Sequence, residues 1–485
     1  MTPDAEFRQK APAAGPATPF APPKIQEAKL KNGIRVLLVP RHDLPIVALQ
    51  IVSDHGGDQV KTGVAAFTMA GLLLGTKTRS AEEISDALDG LGADYGASAG
   101  YDGCFLRAQV LSPRFDAALE VLADVWKNPR FPKEELEIER GKRLTWLAQE
   151  ADSAGAQLSR ATLAALYPEK HPYRLPLLGD EASVKAITPG DLSAFHAAHL
   201  RPDHMIIAVA GDIDRDPLLA SLEKAFGDWS GKAVKETPPE KPAPMKGARL
   251  LLVDRPDATQ TNLSIGLPGT SRKTSDFEAL MVMNTILGGQ FTSRLNLNLR
   301  EKHAYTYGAR SGFDFRDGPG PFLAGGAMVR EKTSEAVKEM LSEIDRLRTA
   351  AVTDEELADA QSNIIRQLPS RFETASETAG TLSSLALYGL PLDELSTRAA
   401  RIQKVSKEDV KRVAATYLKT EEMRVILVGD AKVIKAGLGG LGLGDVEMVA
   451  APPKPTLPGA AEKTGTNGGG SANKPPRQNL PPKRK

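Results

Sequence analysis

The chain has 485 residues, of which 41% are hydrophobic and 25% are charged, and its formal net charge is +1. This length exceeds the roughly 250–300 residues at which a single core stops growing, so it indicates more than one domain. The near-zero charge argues against a general nucleic-acid-binding protein, and the single cysteine, Cys104, excludes internal disulfides and cysteine-based zinc sites. No stretch reaches the ~18 apolar residues of a membrane span, so we expect no transmembrane segment.

Both ends of the chain have a biased composition. Residues 1–27 contain repeated Ala-Pro and Thr-Pro pairs without hydrophobic periodicity, which predicts a disordered lead-in. A lead-in of this kind often follows a removed export signal, which favours the periplasm or cell envelope, with the cytoplasm as the alternative. Residues 452–485 are rich in Pro, Gly and Lys and predict a disordered basic tail. That tail carries seven Lys/Arg and one Glu, or +6, and leaves −5 (1 − 6) for the remaining chain.

The first half of the chain shows strands and helices in succession. The turn signal Asn32-Gly33 precedes the strand-like stretch IRVLLVP, and IVALQIV predicts a second strand. A helix is predicted from Gly63 to Gly75, and Ser80 begins another in SAEEISDALDGLG. Strands around ADYGASAGYDGCFLRAQVL, several helices and a final helix-to-strand unit follow. Helices inserted among antiparallel strands predict an α+β fold.

A stretch of the second half, NTILGGQFTSRLNLNLREKHAYTYGARSGFDF at residues 284–315, combines several local signals. A helical apolar run ends at Gly288-Gly289, because glycine reaches backbone conformations that other residues avoid. Apolar residues then recur at a spacing of four, which predicts one face of a short second helix. These residues are Phe291, Leu295 and Leu299. From Tyr305 onward the pattern alternates, which predicts a strand.

Arg300 and Tyr307 are the candidate functional residues of this stretch. An arginine at a helix end and a tyrosine on an adjoining strand are both hydrogen-bond donors on firm elements, which suits them to hold a carbonyl oxygen or an oxyanion. A structural interpretation stands beside this one. Arg300 could cap the helix or pair with Glu301, and Tyr307 could be a half-buried strand residue.

The two halves of the chain are similar to each other. Asp191–Asp212 aligns without a gap on Asp409–Asp430 at an offset of 218, and Arg35–Arg41 aligns on Arg249–Arg255 at an offset of 214. Self-similarity over this distance predicts two copies of one domain. We predict a first domain at 28–230, a Pro- and Lys-rich linker at 231–247 and a second domain at 248–451.

The stretch around Arg300 and Tyr307 resembles the second-domain signature of the insulinase/pitrilysin-like (inverzincin) metallopeptidases. In that family the motif reads approximately LGG-x-x-x-SRL…LRE-K-x-x-x-x-YG, and its Arg and Tyr bind substrate at a zinc site. The resemblance implies these roles for Arg300 and Tyr307. It also implies two homologous α/β-roll domains, each with an antiparallel sheet and helices, that close like a clamshell around an extended peptide.

The first-domain motif of the same family keeps its frame but loses its metal ligands. Catalytic members read G-L-A-H-F-L-E-H-M-L-F-K-G-T, whereas this chain reads GVAAFTMAGLLLGT at Gly63–Thr76. By this resemblance, the two zinc-binding histidines are replaced by Ala66 and Ala70, and the water-activating glutamate by Met69. The third ligand falls at Trp146. A catalytic zinc needs three protein ligands, so we predict that this chain binds no cofactor of its own.

Other side chains offer weak alternatives for a metal. Glu139 and Glu150 could bind a cation, but neither has a histidine partner at helical spacing. His196 and His199 lie three residues apart on a predicted helix, with His204 further on. The internal repeat places His196 opposite Ala414 and His199 opposite Tyr417, which favours surface or packing roles. His303 lies in the turn between Arg300 and Tyr307.

The family includes heterodimers in which one subunit carries H-x-x-E-H and the other has lost the metal site but keeps the Arg/Tyr pair. This chain resembles the second kind. The predicted function is therefore a non-catalytic subunit that binds peptide and supplies Arg300 and Tyr307 to a zinc site on its partner, and that is inactive alone. The alternative is an inert scaffold or peptide-binding protein of the same fold, including a homodimer. The weakest alternative is an autonomous hydrolase with a displaced site.

Overall fold

The computed structural model of the protein describes residues 20–57, 61–231 and 249–451. The predicted basic tail lies outside the described residues, and so does the predicted linker except for Gly231. No helix in these described ranges is both long and apolar enough to cross a membrane.

The described residues contain two six-stranded sheets. The strands of the first sheet are β1 (Gln26–Lys29), β2 (Arg35–Pro40), β3 (Ile46–Ser53), β4 (Asp94–Ala99), β5 (Cys104–Leu111) and β6 (Met205–Gly211). The strands of the second sheet are β7 (Leu250–Asp254), β8 (Gln260–Pro268), β9 (Arg310–Phe313), β10 (Pro321–Val329), β11 (Arg424–Gly429) and β12 (Val446–Val449). The spatial orders are β1-β2-β6-β3-β5-β4 and β12-β7-β11-β8-β10-β9.

Helices fill the connections between these strands. In the first half they are α1 (Val64–Leu72), α2 (Ala81–Gly90), α3 (Phe115–Lys127), α4 (Lys133–Ala151), α5 (Ala154–Leu166), α6 (Glu181–Ala186), α7 (Pro189–His199) and α8 (Arg215–Phe226). In the second half they are α9 (Phe277–Asn284), α10 (Arg294–Asn296), α11 (Thr333–Thr349), α12 (Asp354–Arg366), α13 (Ala375–Leu387), α14 (Glu394–Gln403), α15 (Lys407–Tyr417) and α16 (Ala431–Leu438).

The two sheets repeat the same register. Val36 on β2 is the partner of Ile207 on β6, and Leu250 on β7 is the partner of Val425 on β11. These are the pairs that the sequence offsets of 214 and 218 relate, so the predicted α+β class with two homologous domains is confirmed. One detail differs. The sheets are mixed rather than wholly antiparallel, because β2 pairs with β6 in parallel, which the long stretch of chain between them, residues 41–204, allows.

Each sheet has one face covered by a helix from the other half of the chain. Helix α13 of the second half packs on β6, β3 and β2 of the first sheet, and its contact face includes Ala379, Leu382 and Ala386. Helix α5 of the first half packs on β11, β8 and β7 of the second sheet, where Ala161 joins the apolar cluster. The small alanine side chains let each helix approach its sheet closely. The two halves are therefore interlocked rather than simply adjacent.

A buried carboxylate also joins the two halves. Asp102, between β4 and β5, accepts hydrogen bonds from the hydroxyl of Tyr173 at 3.1 Å and from the hydroxyl of Tyr388 at 3.0 Å. It also accepts one from the backbone N–H of Asp317 at 3.0 Å. Burial raises the pKa of Asp102, although these donors act in the opposite direction. Because Asp317 and Tyr388 belong to the second half, this polar network reinforces the apolar contacts of α5 and α13.

The ordered fold begins earlier than the sequence indicated. Strand β1 starts at Gln26 and pairs with β2, and the ring of Phe20 lies 5.9 Å from the ring of Phe372. Ile25 packs against the apolar clusters around α13. The boundary of the predicted disordered lead-in at residue 27 is therefore wrong. The Ala-Pro pattern that motivated it belongs mainly to residues 1–19, which lie outside the described ranges.

Candidate functional site

Arg300 and Tyr307 line the same surface cleft of the second half, which has a volume of about 300 Å³. Arg300 lies in a π-helical turn, Leu297–Lys302, that continues α10. Leu295 and Leu299 anchor this segment because both side chains are fully buried. The recurrence of leucines at a spacing of four therefore marked the buried face correctly. Phe291, the third member of that pattern, instead lies before α10 and is exposed.

The guanidinium of Arg300 is held at the rim of the cleft by two neighbours. Its Nε lies 3.2 Å from Oε1 of Glu301, and its central carbon lies 4.7 Å above the ring of Phe291. The Arg300 side chain remains 37% exposed. An arginine stacked on an aromatic face keeps its N–H edges available to further acceptors, so this position suits binding of a carbonyl or carboxylate oxygen.

Tyr307 lies in a loop and not on a strand, which corrects the prediction made from the alternating pattern. The segment between Lys302 and Arg310 contains one isolated β-bridge, between Thr306 and Met328. The hydroxyl of Thr306 donates to the carbonyl of Ala327 at 2.7 Å and fixes the loop against β10. Tyr307 is left 88% exposed, so its hydroxyl faces solvent rather than filling a half-buried strand position.

Glycines allow the cleft to form by close backbone approach. The apolar helix α9 does not break at Gly288 but continues as a π-helical turn, Thr285–Gly289. A Cβ atom at Gly288 would lie 2.4 Å from the backbone nitrogen of Ser311. Glycine is needed there because β9 passes against the helix, and not because the backbone adopts a left-handed conformation. His303 lies outside the cleft lining, with its ring stacked on that of Tyr305 at 4.9 Å.

The α1 frame does not fit a zinc ion. Met69 is fully buried in the apolar core of the first half, and Ala66 is 6% exposed. Ala70 is half-buried. Trp146 lies on α4 with a relative exposure of 41%. Alanine, methionine in a packed core and tryptophan offer none of the nitrogen or carboxylate ligands that a catalytic zinc site uses, so these residues do not fit a zinc ion at α1.

The two alternative carboxylates near this frame are engaged elsewhere. Glu139 lies 3.7 Å from Arg143, and Glu150 lies 2.9 Å from Arg160. An acidic side chain paired with arginine is a poor site for a cation, because the guanidinium already compensates its charge. Both glutamates are therefore already engaged by arginines of their own half of the chain.

His196 and His199 do not converge on a common point. The Nε2 atom of His196 lies 2.7 Å from the carbonyl oxygen of Trp126. His199 instead stacks its ring on that of His55, with 5.1 Å between centroids. Burial, together with the charges of the neighbouring His55 and His204, lowers the pKa of His199 to about 4. The packing interpretation of this helical pair agrees with these contacts.

His204 belongs to a cluster that the sequence did not reveal. Oδ1 of Asp54 lies 2.8 Å from Nδ1 of His55 and 2.9 Å from Nδ1 of His204. Asp54 and His55 directly follow β3, and His204 directly precedes β6. Adjacent Asp and His at a strand end were a weak local signal. Their third partner is 150 residues away and becomes visible only once β3 and β6 are paired.

Two profiles of known protein families match parts of this chain. Residues 46–181 match the profile described as insulinase (peptidase family M16), and residues 186–364 match the profile described as peptidase M16 inactive domain. An uncharacterized zinc protease of Mycobacterium tuberculosis is 28% identical over 412 residues, which cover 84% of this chain and 94% of the relative. Another from Mycobacterium leprae is 30% identical over 305 residues, 63% of this chain and 67% of the relative.

Solved structures share the same architecture. The crystal structure of a peptidase M16 inactive domain from Pseudomonas fluorescens has a TM-score of 0.79 and 28% identity, and the match covers 84% of this chain and 98% of that one. A protease from Helicobacter pylori has a TM-score of 0.76 at 22% identity, covering 84% and 99%. The second likeness concerns the fold alone.

Proposed function

Because the chain belongs to the peptidase M16 (insulinase) family as an inactive-type homologue, we propose that it is the non-catalytic subunit of a heterodimeric zinc peptidase. In this proposal the chain binds the peptide substrate and supplies Arg300 and Tyr307 to a zinc site carried by an H-x-x-E-H subunit. The observation that carries it is the shared cleft of Arg300 and Tyr307 in a chain whose own α1 frame holds no metal ligands.

The chemistry of the two side chains supports this division of labour. A guanidinium and a phenolic hydroxyl are both donors, and preorganised donors stabilise the oxyanion that forms when a peptide carbonyl is attacked. Tyr307 is exposed enough to reach beyond the surface of its own subunit. Arg300 is steadied by Phe291 and Glu301, so less side-chain entropy is lost when it engages a substrate. The partner contributes the metal and the base that moves the proton.

The competing function is an inert scaffold of the same fold. It is favoured by the contacts of Arg300 itself, since its ion pair with Glu301 and its stacking on Phe291 are also what a structural arginine would make. In that case Arg300 would contribute to stability or to assembly, and the chain could pair with a second copy of itself.

Variants of the mixed complex distinguish the two functions. The chain alone should cleave no unstructured peptide, with or without added zinc, and activity should arise on mixing with an H-x-x-E-H subunit from the same organism. Arg300→Ala or Tyr307→Phe should then lower kcat of the mixture by roughly 10²–10³, the usual effect of losing one oxyanion donor. Steady-state cleavage and size-exclusion chromatography are measured on the same sample.

Arg330→Ala provides the matched control. Arg330 pairs with the next residue, Glu331, at 2.6 Å and is 32% exposed, much like Arg300, but it lies outside the cleft lining. Its replacement should leave turnover unchanged. If both cleft variants form the heterodimer and cleave peptide at the wild-type rate, the catalytic role is refuted and the scaffold function remains.

A further inference from the structure

We propose that Asp54, His55 and His204 form a binding site for a divalent transition-metal ion of the zinc class, separate from the α1 frame. The ligand atoms that these three residues offer all lie within 4.8 Å of one another. Two imidazole nitrogens and one carboxylate oxygen are a common ligand set for such ions. Asp54 and His55 lie outside the α1 frame on which the expectation of no metal was based.

The geometry of the cluster brings three donors to one point. The Nδ1 atoms of His55 and His204 both face Oδ1 of Asp54, at 2.8 and 2.9 Å. In a tetrahedral zinc site with bonds of about 2.0–2.2 Å, ligand atoms lie about 3.3–3.6 Å apart. The cluster therefore needs to widen by about half an ångström, which rotation of the Asp54 side chain can provide because that side chain is 41% exposed.

The backbone under the cluster is already fixed. The N–H of Asp54 donates to the carbonyl of His204 at 3.1 Å, which ties the two ligand-bearing segments together. Beyond His55, a Cβ atom at Gly56 would lie 2.4 Å from the carbonyl oxygen of Gly100, so the chain passes too closely for any other residue. Ligands held on tied segments lose little entropy when a metal binds.

The surroundings of the cluster favour a cation. The His55 side chain is 7% exposed and the His204 side chain is 14% exposed, and the ring of His199 packs on that of His55. Partial burial lowers the local dielectric constant, which strengthens the attraction between a cation and the Asp54 carboxylate.

A metal at this position would link the end of β3 to the start of β6. These strands are antiparallel neighbours, with Ser53 opposite Met205, yet they are far apart in the chain. A ligand that binds the folded state and not the unfolded one raises stability with its concentration. Three protein ligands leave a fourth position for solvent. We therefore expect added zinc to raise the free energy of unfolding of the chain, whether or not the chain takes part in peptide cleavage.

The test uses the full chain, stripped with a chelator and titrated with Zn²⁺ in competition with a chromophoric zinc indicator. One zinc per chain should bind, and Co²⁺ should give the visible d–d absorption bands of a tetrahedral site. Asp54→Asn and His204→Gln should weaken zinc binding by at least the roughly 10–100-fold that even outer-shell partners contribute. His42→Gln is the matched control, because His42 also contacts a carboxylate, Asp212 at 2.8 Å, but belongs to no group of three potential metal ligands among the described residues.

Three results would overturn the proposal: no saturable binding of zinc, affinity unchanged in Asp54→Asn and His204→Gln, or equal weakening in His42→Gln. Should the ligand variants fail to fold, the wild-type chain decides the question by itself. Its melting temperature must rise with added Zn²⁺, and its Co²⁺ bands must be present. Since the readouts are affinity and spectra, this proposal and that for Arg300 and Tyr307 can fail separately.

Discussion

His196 shows how a histidine at metal-ligand spacing can be committed to packing. Its ring lies 6.3 Å from that of Phe131, and its Nε2 reaches the carbonyl of Trp126 at the end of α3. Burial lowers the pKa of His196, although the hydrogen bond with Trp126 acts in the opposite direction. The half-buried imidazole therefore packs at the edge of the apolar core of the first half, to which Phe131 belongs.

This lowered pKa predicts a pH-dependent stability. Below pH 6.5 the unfolded state binds a proton at His196 that the folded state does not, so the free energy of unfolding should fall as pH decreases from 6.5. His196→Gln keeps a donor for the carbonyl of Trp126 and removes the titration, so its fall should be shallower. Denaturant unfolding at several pH values between about 7 and 5 measures the difference.

His42→Gln again serves as the control for that experiment. The hydrogen bond with Asp212 raises the pKa of His42, so its contribution is fully present below pH 6.5 and is lost as pH rises. Replacing it should make the fall toward acid steeper and not shallower. If His196→Gln and wild type lose stability in parallel, His196 does not titrate differently in the two states.

At the scale of elements, helix starts followed directly from the sequence. Thr188 and Asp191 form a capping box at α7, and Ser406 and Asp409 form the same box at α15, at the repeat offset of 218. Ser80 caps α2 as the sequence predicts. These signals are local, since a cap side chain and its backbone partner lie three residues apart.

Strand ends and short alternating stretches were less predictable. The alternation from Tyr305 indicated a strand, but β9 begins at Arg310. Between them the chain is a loop that hydrogen bonds of Thr306 attach to β10. Alternation over a few residues describes which side chains face inward, and a loop pinned to a sheet can satisfy it as well as a strand can.

The N-terminal element carries a stability prediction. A chain that begins at residue 28 should be less stable than one that begins at residue 20, by about 1–3 kcal/mol. The deletion removes the contact of Phe20 with Phe372, the packing of Ile25, and the ion pair of Glu27 with Arg35 at 2.6 Å. Thermal unfolding of the two truncated chains gives the comparison.

Phe20→Ala in the full chain distinguishes the contribution of the Phe20 contact to stability from the contribution of β1. It should lower the melting temperature by less than the deletion does, because β1 is retained. Equal melting temperatures for chains beginning at 20 and 28 would mean that residues 20–27 contribute nothing to stability. The predicted lead-in would then extend to residue 27.

At the scale of the whole molecule, the two halves depend on each other. The first sheet presents an apolar face to α13, and the second presents one to α5. Asp102 adds a buried carboxylate that receives donors from both halves. Separating the halves would expose both apolar faces and leave this carboxylate without part of its hydrogen bonding, which is costly for buried polar groups.

We therefore expect neither half to fold cooperatively by itself. Fragments 1–240 and 241–485 expressed alone should bind a hydrophobic dye and lack a sharp thermal transition, whereas co-expression should restore a soluble 1:1 complex. Circular dichroism melting and size-exclusion chromatography provide the readouts. A first-half fragment with a single cooperative transition near that of the intact chain would show that α13 is dispensable for the first sheet.

The sequence by itself determined the features that depend on residues close together in the chain or on the internal repeat. It predicted the two homologous α+β domains, the start of α2 at Ser80 and the family frame whose ligand positions are Ala66, Met69 and Ala70. It also singled out Arg300 and Tyr307, whose roles remain predictions. Periodicity and capping act within a few residues of chain, so a single sequence carries them.

Only the tertiary structure decided which distant residues meet. In the structure α5 packs on the second sheet and α13 packs on the first. Arg300 and Tyr307 line one cleft, and His204 lies beside Asp54. These contacts depend on strand pairing and on the burial of apolar faces. The free energy of that burial is spread over many side chains, and no single side chain indicates in the sequence which distant residue it will contact. The internal repeat predicts two similar domains, but it does not predict which helix packs on which sheet. That pairing depends on contacts between residues that are far apart in the chain.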